Sequence, residues 1–167
     1  PMHALPEDIA KYEGTYDAGY QAIRDARYQR MIELGVIDRD STVNWPIPDA
    51  WKEKKHWQWD KRNMEVYAAM VDRLDQNIGR LVDDLRKNGE LDNTLILFFS
   101  DNGACPYNRL RTPRIKPGPA DSDIAYDARW ANLCNTPLRL YKQYAHEGGT
   151  TTPLIAHWPR GIQNAGA

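Results

Sequence analysis

Cysteine is scarce in this chain: Cys105 and Cys134 are the two thiols in 167 residues. Two are too few for a disulfide-held scaffold, and their spacing offers no further ligands for a zinc site. Unpaired, partly buried thiols are the expectation. An excess of either charge is also missing. Lysine and arginine number 22 against 23 acidic residues, a net charge of -1. No polyanion-binding surface follows from that, and nucleic acid is not suggested as a partner. No apolar run approaches the length that crosses a bilayer. There is no internal repeat and no low-complexity tract, and the chain is long enough for one domain with a real core.

The most informative stretch that is present runs from Thr94 to Ala104, Thr-Leu-Ile-Leu-Phe-Phe-Ser-Asp-Asn-Gly-Ala. An apolar run stops abruptly at an acid, an amide and a glycine. Leu95 to Phe99 contain nothing polar, which predicts a central parallel strand covered on both faces of an α/β sheet. Ligands gather outside the carboxyl ends of such strands. Asp101 and Asn102 would sit there with hard oxygen donors suited to Ca²⁺ or Mg²⁺. Asp-Asn-Gly is also ordinary turn chemistry, so this stretch alone does not decide the matter.

Around it, Pro6 opens a short helical turn over residues 6 to 12. A second helix is predicted over about 17 to 34, closed by Gly35. Between Val36 and Lys55 the periodicity disappears, and Pro46 and Pro48 mark a surface connection. The strongest helical pattern spans about 61 to 87, where Tyr67, Val71, Leu74, Ile78, Leu81 and Leu85 form a single apolar stripe. Asp60 is its expected N-cap, Asp83 and Lys87 an i,i+4 pair, and Gly89 its C′ residue. A short link then feeds the Leu95 strand, half of a βαβ unit. Residues 105 to 135 show no periodicity and are rich in proline, so a long functional loop is expected. Its Arg109, Arg111, Arg114 and Lys116 read as a solvated face balanced by Asp121, Asp123 and Asp127. Leu154 onward reads as a short strand. Gly148-Gly149, beside Lys142 and His146, permits a close backbone approach or positive φ. Trp45, Trp51, Trp57 and Trp59 cluster in the irregular region. They anchor it to the body or, alternatively, stack on a sugar.

Taken in order, these segments resemble the sulfatase family of the alkaline-phosphatase-like superfamily. The likeness is carried by Lys11 to Tyr20, by Met64 to Gly79, by Phe99-Ser-Asp-Asn-Gly-Ala104, and by Leu138-Arg-Leu-Tyr-Lys142 with His146-Glu-Gly-Gly149, Pro153, Trp158 and Pro159. It implies an α/β fold, part of a three-layer αβα sandwich, with residues 1 to 167 as an internal portion of a catalytic domain. It implies hydrolysis of sulfate monoesters, arylsulfatase-like, with Asp101 and Asn102 as ligands of a divalent cation, Ca²⁺ before Mg²⁺. Lys142 would contact the sulfate and stabilise its charge, and His146 would contact substrate or, structurally, cap the Gly148-Gly149 turn. The family's formylglycine nucleophile derives from a Cys/Ser-x-Pro-x-Arg motif that does not occur here. Pro1 matches the end of the family's His-Trp/Tyr-Pro motif. The nucleophile and catalytic histidine are therefore expected upstream, outside this chain. The chain alone is expected to be inactive and to leave Phe98 and Phe99 poorly covered. Its partners would be a sulfated small molecule or carbohydrate and the remainder of the same polypeptide, in a periplasmic or secreted setting. The rival readings are a phosphatase, phosphodiesterase or phosphonate hydrolase of the same superfamily, and a non-catalytic helical interaction module built on the 61–87 helix.

Overall fold

The structure is a computed structural model that describes residues 1–46 and 57–164. Its mixture of helices and strands is that of an α/β fold. Helix α1 covers Pro6–Ala10, α2 Tyr20–Glu33 and α3 Trp57–Lys87; strand β1 is Ile96–Phe99; α4 is Ala128–Cys134, α5 Glu147–Thr150, and strand β2 Leu154–His157. Proline at the start of α1 gives up no hydrogen bond there.

Glycine closes both long helices in the same way. Gly35 and Gly89 adopt φ of 69° and 72°. In α2 the Gly35 N–H donates to the Ile32 carbonyl and Val36 to Met31; in α3 Gly89 donates to Arg86 and Glu90 to Leu85. This double bond pattern satisfies carbonyls that a helix end otherwise leaves open, and it needs a left-handed residue in the middle.

Helix α3 begins at Trp57, so Asp60 lies inside its first turn rather than at the N-cap. An acid there still faces the positive helix end favourably. The predicted Asp83–Lys87 pair is replaced by i,i+3 pairs, Arg86 with Asp83 and Lys87 with Asp84. Helix α2 starts at Tyr20, three residues later than predicted, because Gly19 at φ 94° breaks the helical path.

The core forms around Trp130, which is fully buried. Tyr16 meets its ring edge-on at 5.5 Å, and Tyr20 lies tilted against it at 4.3 Å. Ile9, Met64, Val66, Ala69, Ala131 and Leu133 complete the cluster. Helix α4, which carries Trp130, lies in the stretch where no periodicity was expected. Seven residues are too few to show a pattern, but Asp127 caps it by accepting from the Arg129 N–H at 2.9 Å. The rest of the long loop is held by backbone pairing: Leu110 bridges Ile124, and His3 bridges Gly118. Arg109 and Arg111 each pair with Asp123 at 3.4 Å, in line with the balanced-face reading.

Two expectations are corrected. Strand β1 is not a parallel strand in this structure. It pairs antiparallel with β2 in a two-stranded ribbon, with Phe99 opposite Leu154 and Ile96 opposite His157. Its connection to β2 is a long excursion rather than a helix crossover, so no βαβ unit forms among the described residues. Phe98 and Phe99 are exposed, Phe99 by 59%, in line with the expectation that the chain alone leaves them poorly covered. The apolar stripe of α3 is likewise open at Val71, Leu74 and Leu81. The core is packed instead by the first four turns, through Met64, Val66 and Ala69.

Candidate active site

The residues singled out from sequence lie on three segments that β1, α4 and α5 bring together. The first is the loop after β1, Asp101 to Ala104. The second follows α4, from Asn135 to Lys142. The third is α5 itself. Asp127 caps α4 and Trp130 fixes it in the core, so Asn135, just past the helix, has a determined position.

Asn135 joins the three. Its side-chain Oδ1 accepts from the Ala104 N–H at 3.1 Å. Its Nδ2 donates to the Leu140 carbonyl at 3.0 Å and to the Gly148 carbonyl at 2.6 Å. Main-chain bonds finish the assembly: Lys142 N–H donates to the Ala104 carbonyl at 3.0 Å, Gly103 to Gly149 at 3.1 Å, and Gly148 to Arg139 at 2.9 Å. An asparagine fits this role because its amide carries a donor pair and an acceptor at once.

Glycine is required at the crossing. A Cβ on Gly148 would lie 2.0 Å from the Leu140 carbonyl oxygen, and one on Gly149 2.0 Å from that of Tyr144. Neither residue has positive φ. Of the two uses expected for the double glycine, close approach is the one found. The backbone on either side of Lys142 is strained, with Leu140 at φ 64° and Gln143 at φ 89°. Left-handed non-glycine residues cost on the order of 1–3 kcal/mol each and collect at functional sites.

Asp101 is exposed and Asn102 half-buried beside it. The Asn102 Nδ2 donates to the Gly103 carbonyl at 2.9 Å, which leaves its side-chain oxygen for another partner. Lys142 is half-buried, and no side chain of the described residues pairs with its ammonium. His146 is exposed at the N-cap of α5, where its carbonyl rather than its imidazole accepts from Gly149 and Thr150. The structural alternative for this histidine, a side-chain cap, is not what the structure has.

These loops therefore present a carboxylate, an amide oxygen, an ammonium and an imidazole, none of them spent on bonds to other side chains among the described residues. A family model described as Sulfatase matches residues 2–166. The chain belongs to the sulfatase family.

Among relatives of this sulfatase chain, an uncharacterised sulfatase of Schizosaccharomyces pombe is 36% identical over 95% of the chain and 32% of its own length. An arylsulfatase of Klebsiella aerogenes is 31% identical over 95% of the chain and 38% of its own length. An N-acetylglucosamine-6-O-sulfatase of Bacteroides thetaiotaomicron is 49% identical over 59% of the chain and 14% of its own length. The chain thus spans about a third of the length of the first two.

Sequence reasoning did not single out the side chains that build this site. Asn135 ends the stretch without periodicity, and its role depends on three backbone partners, at Ala104, Leu140 and Gly148. Arg24 is a second case. It is fully buried on α2 and donates through Nη1 to the Asn132 carbonyl at 2.9 Å, the Asn132 Oδ1 at 3.1 Å and the Thr136 hydroxyl at 3.0 Å. Its Nη2 donates to the Pro137 carbonyl at 3.3 Å. It ties α2 to the end of α4 and the start of the Lys142 segment. Burial pushes its pKa down, to about 10.

Proposed function

We propose that the chain is an internal part of the catalytic domain of a hydrolase acting on sulfate monoesters, with sulfated carbohydrate as the substrate class. Sulfatase membership supports the reaction. The relative named as an N-acetylglucosamine-6-O-sulfatase supports the substrate class. The observation that carries the site assignment is the bond from the Lys142 N–H to the Ala104 carbonyl, which places the lysine turn against the Asp101–Asn102 loop.

The donor chemistry of that loop fits a hard divalent cation. Asp101 offers a carboxylate, and Asn102 offers an oxygen its own amide hydrogen bond does not use. Among the described residues no group of three or more His, Cys, Asp or Glu gathers. Asp101 and Asn102 would accordingly supply two ligands of a Ca²⁺ site, with the others from outside these residues. When bound, such an ion polarises a sulfate oxygen and orients a nucleophile. The nucleophile, a formylglycine by family resemblance, is also assigned to the remainder of the polypeptide. Within this chain Lys142 has the clearest task. Its unpaired ammonium faces charge on the ester's oxygens, and a preorganised cation there stabilises the transition state. His146 hydrogen-bonds the substrate from α5.

The test uses the full-length protein with an aryl sulfate and a sulfated sugar. Lys142→Ala is expected to lower kcat by about 10²–10³-fold, and Asp101→Ala to abolish the stabilisation that Ca²⁺ confers on heating. Unchanged turnover in the first variant and unchanged Ca²⁺ binding in the second overturn the site. Preference for aryl phosphate, with two metal ions per chain, replaces the reading with a phosphatase.

A further inference from the structure

A cavity of about 320 Å³ opens between the first turns of α3 and the loop that precedes α4. It is distinct from the loops carrying Asp101 and Lys142, although Asn108 on its wall lies four residues beyond Ala104. Trp59 and Asn63 line it from α3. At i,i+4 on a helix they share a face. Asn108 and Arg109 line the cavity from the loop, and Asp127 and Arg129 from the start of α4. The volume falls at the lower end of the range for small-ligand pockets.

Two features say what such a pocket takes. The first is a buried polar atom with nothing to bond. Asn63 is 5% exposed, and its Oδ1 has no hydrogen-bond partner among the described residues. An unsatisfied buried acceptor is costly, and a small turn of the amide toward the cavity it lines would let a ligand hydroxyl satisfy it. The second is that the charges are already neutralised. The Arg129 guanidinium pairs with Asp60 at 2.9 Å and Asp127 at 2.6 Å and lies over the Tyr20 ring at 5.2 Å. Arg109 pairs with Asp123 at 3.4 Å. A sulfate or phosphate entering here would find both guanidiniums engaged and two carboxylates facing it. An uncharged ring with hydroxyls on its edge and an apolar face meets none of that opposition. Its face suits the Trp59 indole, and its hydroxyls suit the asparagines.

We infer that this pocket binds an uncharged sugar ring, through Trp59 and Asn63, apart from any site that handles sulfate. The inference extends the carbohydrate reading above, and part of its motivation rests on that reading. The binding itself involves no sulfate ester, so the two can fail separately.

The experiment is saturation-transfer NMR and calorimetric titration of the full-length protein with lactose and cellobiose, with sodium sulfate as the anion control. Binding of a neutral disaccharide is expected. Trp59→Ala should weaken it about tenfold and Trp59→Phe should largely restore it. Asn63→Leu, which removes the acceptor, should weaken it as well. Asn63 is buried, so its variant is read only with an unchanged circular dichroism spectrum; the half-buried Trp59 provides the independent arm. Absence of disaccharide binding overturns the inference, and so does binding that Trp59→Ala leaves unaltered. Displacement of the disaccharide by sulfate alone overturns it too, because it would make the pocket an anion site.

Discussion

The α-carbon of Gly103 lies so close to the carbonyl of Gly148 that a Cβ on Gly103 would sit 1.7 Å from that oxygen. The two glycines are where the loop after β1 crosses α5, and Gly103 also donates to the Gly149 carbonyl there. The candidate cation ligands and the lysine turn are held together at this crossing by main-chain bonds and by the Asn135 side chain.

Gly103→Ala and Gly148→Ala are therefore expected to destabilise the protein by about 2–3 kcal/mol each, the cost of forcing atoms into a filled space. Both should also weaken Ca²⁺ binding. Gly79, in the middle of α3 with nothing within 4 Å of its added Cβ, provides the contrast. Gly79→Ala should stabilise by about 0.5–1 kcal/mol. Chemical denaturation of the three variants in the full-length protein checks the ordering.

Asn135→Asp should cost more than Asn135→Ala. Alanine loses three hydrogen bonds, each worth about 1 kcal/mol. Aspartate keeps the acceptor for Ala104 N–H but turns an oxygen toward the Leu140 and Gly148 carbonyls, where the amide donates. Denaturation midpoints that rank the two variants the other way would show that Asn135 does not hold the segments in this manner.

Arg24→Lys is not expected to behave as a conservative change. The guanidinium reaches Asn132, Thr136 and Pro137 from two nitrogens, a span a single ammonium cannot reproduce. Arg24→Lys and Arg24→Met should each lose about 2–4 kcal/mol through acceptors left unpaired. Urea unfolding with wild-type slope but a lower midpoint is the expected result.

Stability should fall at alkaline pH, beginning with Cys134. Burial pushes its thiol up from 9.0 to about 11, and burial likewise pushes the Tyr16 phenol up from 10.0 to about 12. Both folded values are raised, so each group contributes stability that is intact below its unfolded pKa and lost as pH climbs toward the folded one. Arg24, whose folded pKa is depressed, runs in the opposite sense, but only from about pH 10 upward. Cys134 alone loses about 1 kcal/mol between pH 8 and 10, and toward pH 10 the Tyr16, Tyr20 and Tyr126 phenols, also raised by burial, add to the fall. Cys134→Ala should flatten that part of the profile, measured as denaturant midpoint against pH.

The parts legible from sequence were those fixed by local chemistry. Gly35 and Gly89 announced two helix ends because each end needs a left-handed residue. The Asp-Asn-Gly segment, the lysine and the double glycine were visible as motifs, and their order pointed to the family. Solvated charges on the long loop followed from the balance of Arg109 and Arg111 against Asp123. What could not be read depended on contacts distant in sequence. Helix α4 is too short for periodicity, and its place is set by Trp130 packing on Tyr16 and Tyr20. The direction of the β1–β2 pairing is not fixed by an apolar run alone: the run predicted a covered parallel strand, but β1 pairs antiparallel with β2 and both are largely exposed. The α3 stripe was recognised, but which part of it the described core would use was not. That choice falls to the elements packed against the first turns, α1 above all.

The antiparallel register of β1 and β2 closes the chain on itself: Phe99 faces Leu154, and residues 100–153 form the enclosed excursion. Asp101, Asn102, Lys142 and His146 all lie inside it. Thr152 adds a latch at the neck by donating its hydroxyl to the Ser100 carbonyl at 2.7 Å. The Asp101–Asn102 loop and α5 consequently depart from one shared gate, each within a few residues of the last rung. Parting of those rungs would release both arms together, so amide protons on the two should exchange as a single cooperative unit.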